Sequence, residues 1–305
     1  MRFVAGFGKT NIDLLYGGMM CIPKEGEEIY SEHFMVELGG GTPATLINLS
    51  RLGVPVKIQT LLGTDLFSRF ALEQFDIFQV KPDNLYRGTK MPVNVTTAVI
   101  TEVDRAFISY TDQDDIPDLY LESVLNASRG AAVILMHEEF LPIYPELKAN
   151  GAILVYDTGW RKDMNLHDMK KIFSLADWYT PNDQEAMLVT DTSTPGEAAR
   201  VLADYFEHVV IKLGNRGCLL SSGNEEFIVR PVPVSQVADT TGAGDAFLAG
   251  FVYGLYHHKT PRQCALYGNI TGAACIEAMG CLTSYVSEQE LLQRAQQYGY
   301  FIDPR

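Results

Sequence analysis

The apolar and polar positions of the chain fall into two rhythms. Residues 2–8 form a short apolar run that closes on glycine, which predicts a first strand. From Asn11 to Leu38 the text is mixed. Gly17-Gly18, Pro23 and Gly26 precede Glu28-Ile29-Tyr30 and the run from Phe34 to Leu38, a pattern of short strands and turns. Gly39-Gly40-Gly41 then opens a helix ending at Arg51-Leu52-Gly53, with glycine as its stop. Val56 to Leu62 reads as a strand and 66–75 as a helix. Pro92 to Thr101 alternates and is rich in Val and Thr, so it reads as a strand. Ala106 to Tyr110 is expected to pair with it across a turn at 102–105. After residue 120, helical stretches alternate with the apolar strands Ala132–Met136, Ile153–Tyr156 and Val209–Leu213. Such alternation predicts a mainly parallel sheet covered by helices on both faces. Residues 243–279 read as almost continuous helix.

The expectation is one α/β domain over 1–305. A small β-element is built from two separated insertions, about 11–38 and 90–112. An element outside the main sheet cannot bury both its faces there, which makes it a candidate lid or dimer surface.

Composition narrows the function classes. The chain has 305 residues, 47% of them hydrophobic and 20% charged, enough for a core without disulfides or structural metals. Twenty-four basic residues face 38 acids, for a net charge of -14, which disfavours a nucleic-acid partner. An anionic ligand could still bind at backbone N–H groups where a helix begins. Five cysteines (21, 218, 264, 275 and 281) without a C-x-x-C predict reduced thiols in a cytoplasmic protein. The N-terminal run is too short for a signal peptide, and no run approaches the ~20 apolar residues of a membrane helix.

The most informative stretch is Asp239-Thr240-Thr241-Gly242-Ala243-Gly244-Asp245-Ala246-Phe247, followed by an apolar helical run. A glycine turn that opens a helix presents unpaired N–H groups to an anion, helped by the helix dipole. Asp245 sits beside that site. It either takes a proton from a hydroxyl attacking a phosphoryl group or merely stabilises the helix start.

This stretch resembles the C-terminal signature of the ribokinase-like (PfkB) carbohydrate kinases, and the resemblance runs along essentially the whole chain. It implies a three-layer ribokinase-like α/β fold with a β-lid. The implied enzyme is a phosphotransferase moving the γ-phosphate of ATP to a primary hydroxyl of a sugar or sugar acid. Gly242, Ala243 and Gly244 would form the anion hole and Asp245 would be the base. Asp13 in Gly6-Phe7-Gly8-Lys9-Thr10-Asn11-Ile12-Asp13, together with Gly40 and Gly41, resembles the sugar-binding elements. Thr45 stands where the family usually has Asn, with Asn48 close by, and Ser68 replaces a common glycine. Asp157-Thr158-Gly159-Trp160-Arg161 is similar to a segment of fructokinase-like and ketodeoxygluconate-kinase-like members, with the Asn lost and Arg161 kept. Asn182 and Glu185 resemble the Asn-x-x-Glu tied to magnesium and phosphate, Glu185 acting through water. Lys212, Gly214, Gly217 and Asn269 fall at the nucleotide positions. A potassium site on carbonyls near Asp239, Thr241 and Gly280 is also implied. A homodimer through the lid is expected on separate grounds, since a partner's lid would cover the unpaired strand edges.

Each residue also has a plainer reading. Glu185 could be a solvated helix-face acid, and Arg161 could pair with any acid. Lys212 ends a buried strand and needs a partner, of which a nucleotide phosphate is one candidate. Glu139 is either a ligand contact, as in ribose-type members, or a surface acid. Gly8-Lys9-Thr10 is no Walker A end, because Phe3 stands where that motif needs glycine. Asp112, Asp114, Asp115 and Asp118 lack the glycine and closing Glu of a calcium loop and read as a solvated turn. His257-His258 reads as a helix-end or surface pair. The rivals are a nucleoside kinase on the same scaffold and a non-catalytic sugar- or nucleotide-binding regulator. A dinucleotide oxidoreductase would require glycine where Asn11 stands.

Overall fold

The computed structural model describes residues 2–101, 105–111, 119–159, 161–222 and 225–302. The turn residues 102–104, the acidic group at 112, 114, 115 and 118, and Trp160 lie outside them.

The strands are β1 (Val4–Phe7), β2 (Asn11–Met19), β3 (His33–Leu38), β4 (Val56–Thr60), β5 (Asp83–Asn84), β6 (Asn94–Thr101), β7 (Arg105–Tyr110), β8 (Val133–Leu135), β9 (Ile153–Tyr156), β10 (Trp178–Tyr179), β11 (His208–Lys212), β12 (Cys218–Ser222) and β13 (Glu225–Val229). The helices are α1 (Thr42–Arg51), α2 (Leu66–Ile77), α3 (Leu119–Ser128), α4 (Tyr144–Ala149), α5 (Leu166–Phe173), α6 (Asp183–Thr190), α7 (Pro195–Leu202), α8 (Ala243–Tyr256), α9 (Pro261–Cys275) and α10 (Glu288–Gln297).

Nine strands form the main sheet in the order β13-β12-β11-β10-β9-β8-β1-β4-β5. From β11 to β5 every pairing is parallel, and β12 and β13 add an antiparallel edge. The central strands carry apolar side chains on both faces because helices cover both. Along β1, Val4 enters one core, with α1, α2, α8, α9 and α10. Ala5 and Phe7 enter the other, with α3 to α7. That is a three-layer α/β fold.

Within the two expected insertions, β2, β3, β6 and β7 form a second sheet, ordered β3-β2-β6-β7. β2 runs parallel to β6, and each has an antiparallel partner on its other side. The chain passes from β1 to β2 through Gly8-Lys9-Thr10, so the small sheet starts at the carboxyl end of a central strand. That end is where open α/β sheets bind ligands.

The helix expected over 243–279 is two helices. His258 adopts a left-handed conformation (φ 54°), and Pro261 starts α9 behind the Thr260 cap. Pro at the first helical position favours a new start over a continuation.

Candidate active site

Asp239 to Gly242 form the turn that delivers α8. Gly242 is left-handed (φ 73°), and a Cβ there would lie 2.0 Å from the Cys281 Cβ, so only glycine fits. The first N–H groups of α8 have no intrahelical acceptor, and that of Ala243 makes only a long 3.4 Å contact with the Thr240 carbonyl. Asp245 lies in this first turn and accepts a hydrogen bond from the Gly41 N–H. A Cβ on Gly40 would come within 2.6 Å of the Asp245 Oδ2, which brings the glycine run before α1 against the carboxylate. Burial pushes the Asp245 carboxyl up to about 7. The Gly41 N–H opposes this, Asp157 adds to it and Lys212 offsets part.

Behind Asp245 sits a polar group at the carboxyl ends of β9, β10 and β11. The Lys212 ammonium lies 2.8 and 3.1 Å from the two Asp157 oxygens and borders Gly244. Burial disfavours its charge, but Asp157, Glu185 and Asp245 outweigh that and leave its pKa above the usual lysine value. Asp157 also accepts from the Thr180 hydroxyl at 3.0 Å. Asn182 and Glu185 form a reciprocal capping box on α6. The Glu185 N–H donates to the Asn182 side chain, and the Asn182 N–H donates to the Glu185 carboxylate, each at 2.8 Å. Glu185 is nonetheless only 5% exposed, and burial raises its carboxyl. It is not the solvated face residue of the plainer reading.

Asp13 projects from β2, close enough to Asp245 to feel its charge, and is 4% exposed. Asn11 donates to it at 2.5 Å. Glu37 stands directly opposite on β3, on the same face of the small sheet. Burial, followed by Glu37, pushes the Asp13 carboxyl up to about 7. Asp239 accepts from the Thr241 N–H and hydroxyl and from the Gly280 N–H, at 2.9, 2.8 and 3.0 Å. Arg105 of β7 hydrogen-bonds the Thr240 hydroxyl and approaches Asp239 to 4.0 Å.

Asp13, Gly40, Gly41, Gly242, Ala243, Gly244 and Asp245 therefore surround one place, with Lys212, Asn182 and Glu185 at its back. The other expected site residues have contacts of their own. Thr45 is buried, and its hydroxyl donates to the Asp245 carbonyl at 3.3 Å, tying α1 to α8. Asn48, also buried, accepts from Arg51. Arg161 forms a two-pronged pair with Glu138, both contacts at 2.8 Å, the pairing its plainer reading anticipated. Asn269 donates to the carbonyls of Val229 and Arg230 and so fixes the end of β13 beside Gly217. Gly214 and Gly217 bracket the turn after β11. Gly280 stays beside Asp239, with Thr241. Glu139 bonds through its N–H to the half-buried His137 ring. No role for Glu37, Asp157 or Arg105 is legible in the sequence. An acid inside the apolar run Phe34-Met35-Val36-Glu37-Leu38 was the one available signal for Glu37. The Lys212–Asp157 pair joins residues 55 apart in sequence and left no local trace.

The sequence matches the pfkB family of carbohydrate kinases over residues 1–288. It is 40% identical over 242 residues to an uncharacterized sugar kinase of Archaeoglobus fulgidus, covering 77% of this chain and 96% of that one. The fold superposes on ribokinase from Arabidopsis thaliana, solved with ribose and ATP, with a TM-score of 0.80 at 21% identity over 100% and 99% of the two chains. Ribokinase of Giardia lamblia gives a TM-score of 0.85 at 17% identity over 97% and 99%. The chain belongs to the pfkB family of carbohydrate kinases and is a phosphotransferase with an alcohol group as acceptor. No helix among the described residues is long and apolar enough to cross a membrane.

Proposed function

We propose that this protein transfers the γ-phosphate of ATP to a primary hydroxyl of a sugar or sugar acid, with Asp245 as the base. The observation that carries the reading is the position of Asp245. It sits in the first turn of α8, between the Gly40–Gly41 run and the Lys212 ammonium, with a carboxyl poised near 7. A base with that proton affinity is matched to neutral pH. The carboxylate removes the hydroxyl proton while the oxygen bonds to the γ-phosphorus. The bond from phosphorus to the bridging oxygen breaks, releasing ADP. The N–H groups of Gly242, Ala243 and Gly244 stabilise the charge on the transferred group. Lys212 offsets negative charge next to Gly244.

Asp13 and Gly40–Gly41 orient the acceptor hydroxyls. Asn182, Lys212, Gly214, Gly217 and Asn269 define the nucleotide side, where Asn269 acts through the β13 end it holds. Among the described residues no three His, Cys, Asp or Glu side chains form a metal cage. Magnesium would be held mainly by phosphate oxygens and water, with Glu185 as outer support. When bound, it would supply charge neutralisation on the phosphates. The carbonyls of Asp239, Thr241 and Gly280, beside the buried Asp239 and Glu37 carboxyls, suit a monovalent cation such as potassium. The whole chain acts as one kinase domain. Its small sheet is a lid that excludes water and carries a homodimer contact through its exposed apolar residues, among them Phe34 and Ile108. Five free thiols suit the reducing cytoplasm.

The test is a coupled ADP-release screen over ketoses, aldoses, sugar acids and nucleosides. A sugar or sugar acid should give the highest kcat/KM. A nucleoside exceeding every sugar would overturn the substrate class, and transfer to no acceptor would overturn the activity.

A further inference from the structure

The buried Glu37 touches neither the acceptor hydroxyl nor the phosphoryl group in the chemistry described above, yet both its carboxylate oxygens are engaged. It leaves the end of β3 and accepts the Leu282 N–H at 2.9 Å on Oε1 and the Thr283 hydroxyl at 3.3 Å on Oε2. The same short segment is held from two more directions. Asp239 takes the Gly280 N–H at 3.0 Å. Arg51, at the end of α1, donates to the Leu282 carbonyl at 2.8 Å, its guanidinium held 4.1 Å from the Tyr285 ring and 4.7 Å from that of Phe78. Between these anchors lies Cys281, whose thiol donates to the Leu38 carbonyl at 3.3 Å. Its Cβ fills the space where a side chain on Gly242 would go. The 280–283 turn is thus the floor under the first residue of the anion hole.

We propose that Glu37 is a positioning residue. By fixing the 280–283 turn against Gly242, it couples the placement of lid strand β3 to the alignment of the Gly242–Gly244 N–H groups with Asp245. Glu37 touches none of the reacting groups and acts through Leu282, Cys281 and Gly242. A β3 strand out of place withdraws the acceptor from Leu282 and loosens the anion hole. The catalytic part of this inference rests on the kinase reading given above. The structural coupling does not.

Two measurements separate the parts. Hydrogen exchange on the free chain needs no substrate. In Glu37→Leu, amides of 280–283 and of 240–245 should both exchange at least about tenfold faster, the consequence of leaving a buried N–H without its acceptor. Faster exchange confined to 280–283 overturns the coupling, whatever the enzyme's activity. With the best acceptor, Glu37→Leu should lower kcat about 10- to 100-fold while the Kd for ATP stays within about twofold. Glu37→Gln keeps an acceptor oxygen for Leu282 and should restore kcat to within about fivefold of the parent. If Glu37→Leu is too unstable to measure, Glu37→Gln and Thr283→Val read the same contacts singly. The proposal is overturned if kcat stays within twofold in every variant, or if kcat and ATP affinity fall together.

Discussion

Asp13 offers a test in which function and stability move in opposite directions. Its carboxyl is held at about 7 in place of an ordinary 3.8, chiefly by burial and next by Glu37 across the strand pair. The folded state therefore binds this proton more tightly than the unfolded chain. The stability linked to it is complete below pH 3.8 and is lost as pH rises towards 7. At 1.36 kcal/mol for each tenfold change in proton affinity, the charged form costs the fold up to about 4 kcal/mol at pH 8. Relaxation and water entry reduce such costs in real proteins, so about 2–4 kcal/mol is expected. Asp13→Asn keeps the acceptor for Asn11 and removes the charge. It should raise Tm at pH 8 by about 4–8 °C, with roughly half that gain at pH 5.5, where less of the penalty has developed. The acceptor KM should rise in the same variant, because the carboxylate that orients its hydroxyls is gone. Thermal melts at the two pH values read the stability part. An equal shift at both, or a loss of stability at pH 8, would refute the reasoning.

Other variants probe the remaining parts. Glu185→Gln preserves the α6 capping box, since Gln serves there as well as Glu. It should therefore leave Tm nearly unchanged while raising the magnesium needed for half-maximal rate about tenfold, the scale of one charge-assisted hydrogen bond; an unchanged magnesium titration removes Glu185 from the site. Gly242→Ala combines a left-handed backbone, worth about 1–2 kcal/mol, with a clash on Cys281. It should lower stability by at least about 2 kcal/mol and abolish turnover, and a stable, active variant would contradict the geometry of the turn. Adding the best sugar should slow hydrogen exchange in 11–38 and 90–101 together, whereas ATP alone should protect mainly 210–245 and 265–282. Lid amides unchanged by sugar would defeat the lid, and a monomer by light scattering would defeat the dimer contact alone.

Much of this arrangement is legible from local chemistry. A glycine turn running into an apolar helix marks the anion site, and apolar runs between helical stretches mark a parallel sheet. Mixed, β-branched text in two separated insertions marks the second sheet. What stays hidden is what depends on distance in sequence. The Lys212–Asp157 pair and the grip of Glu37 on Leu282 join residues that only the fold brings together. The antiparallel edge strands β12 and β13 are short, and β13 is mostly exposed, a weak signal beside the buried strands. The break between α8 and α9 was readable from Pro261, but the long apolar run on either side masks it. Motif positions also do not reveal how a side chain is spent. Thr45 and Asn269 lie where the motifs point, yet their polar atoms are committed to the backbone.

The central claim is that Asp245 removes the acceptor proton. Its most direct test is phosphoryl transfer by Asp245→Asn alongside the parent, with ATP affinity measured on both. The variant should lose at least the ~10²-fold typical of a general base and keep its Kd for ATP within about twofold. Turnover near that of the parent would contradict the account.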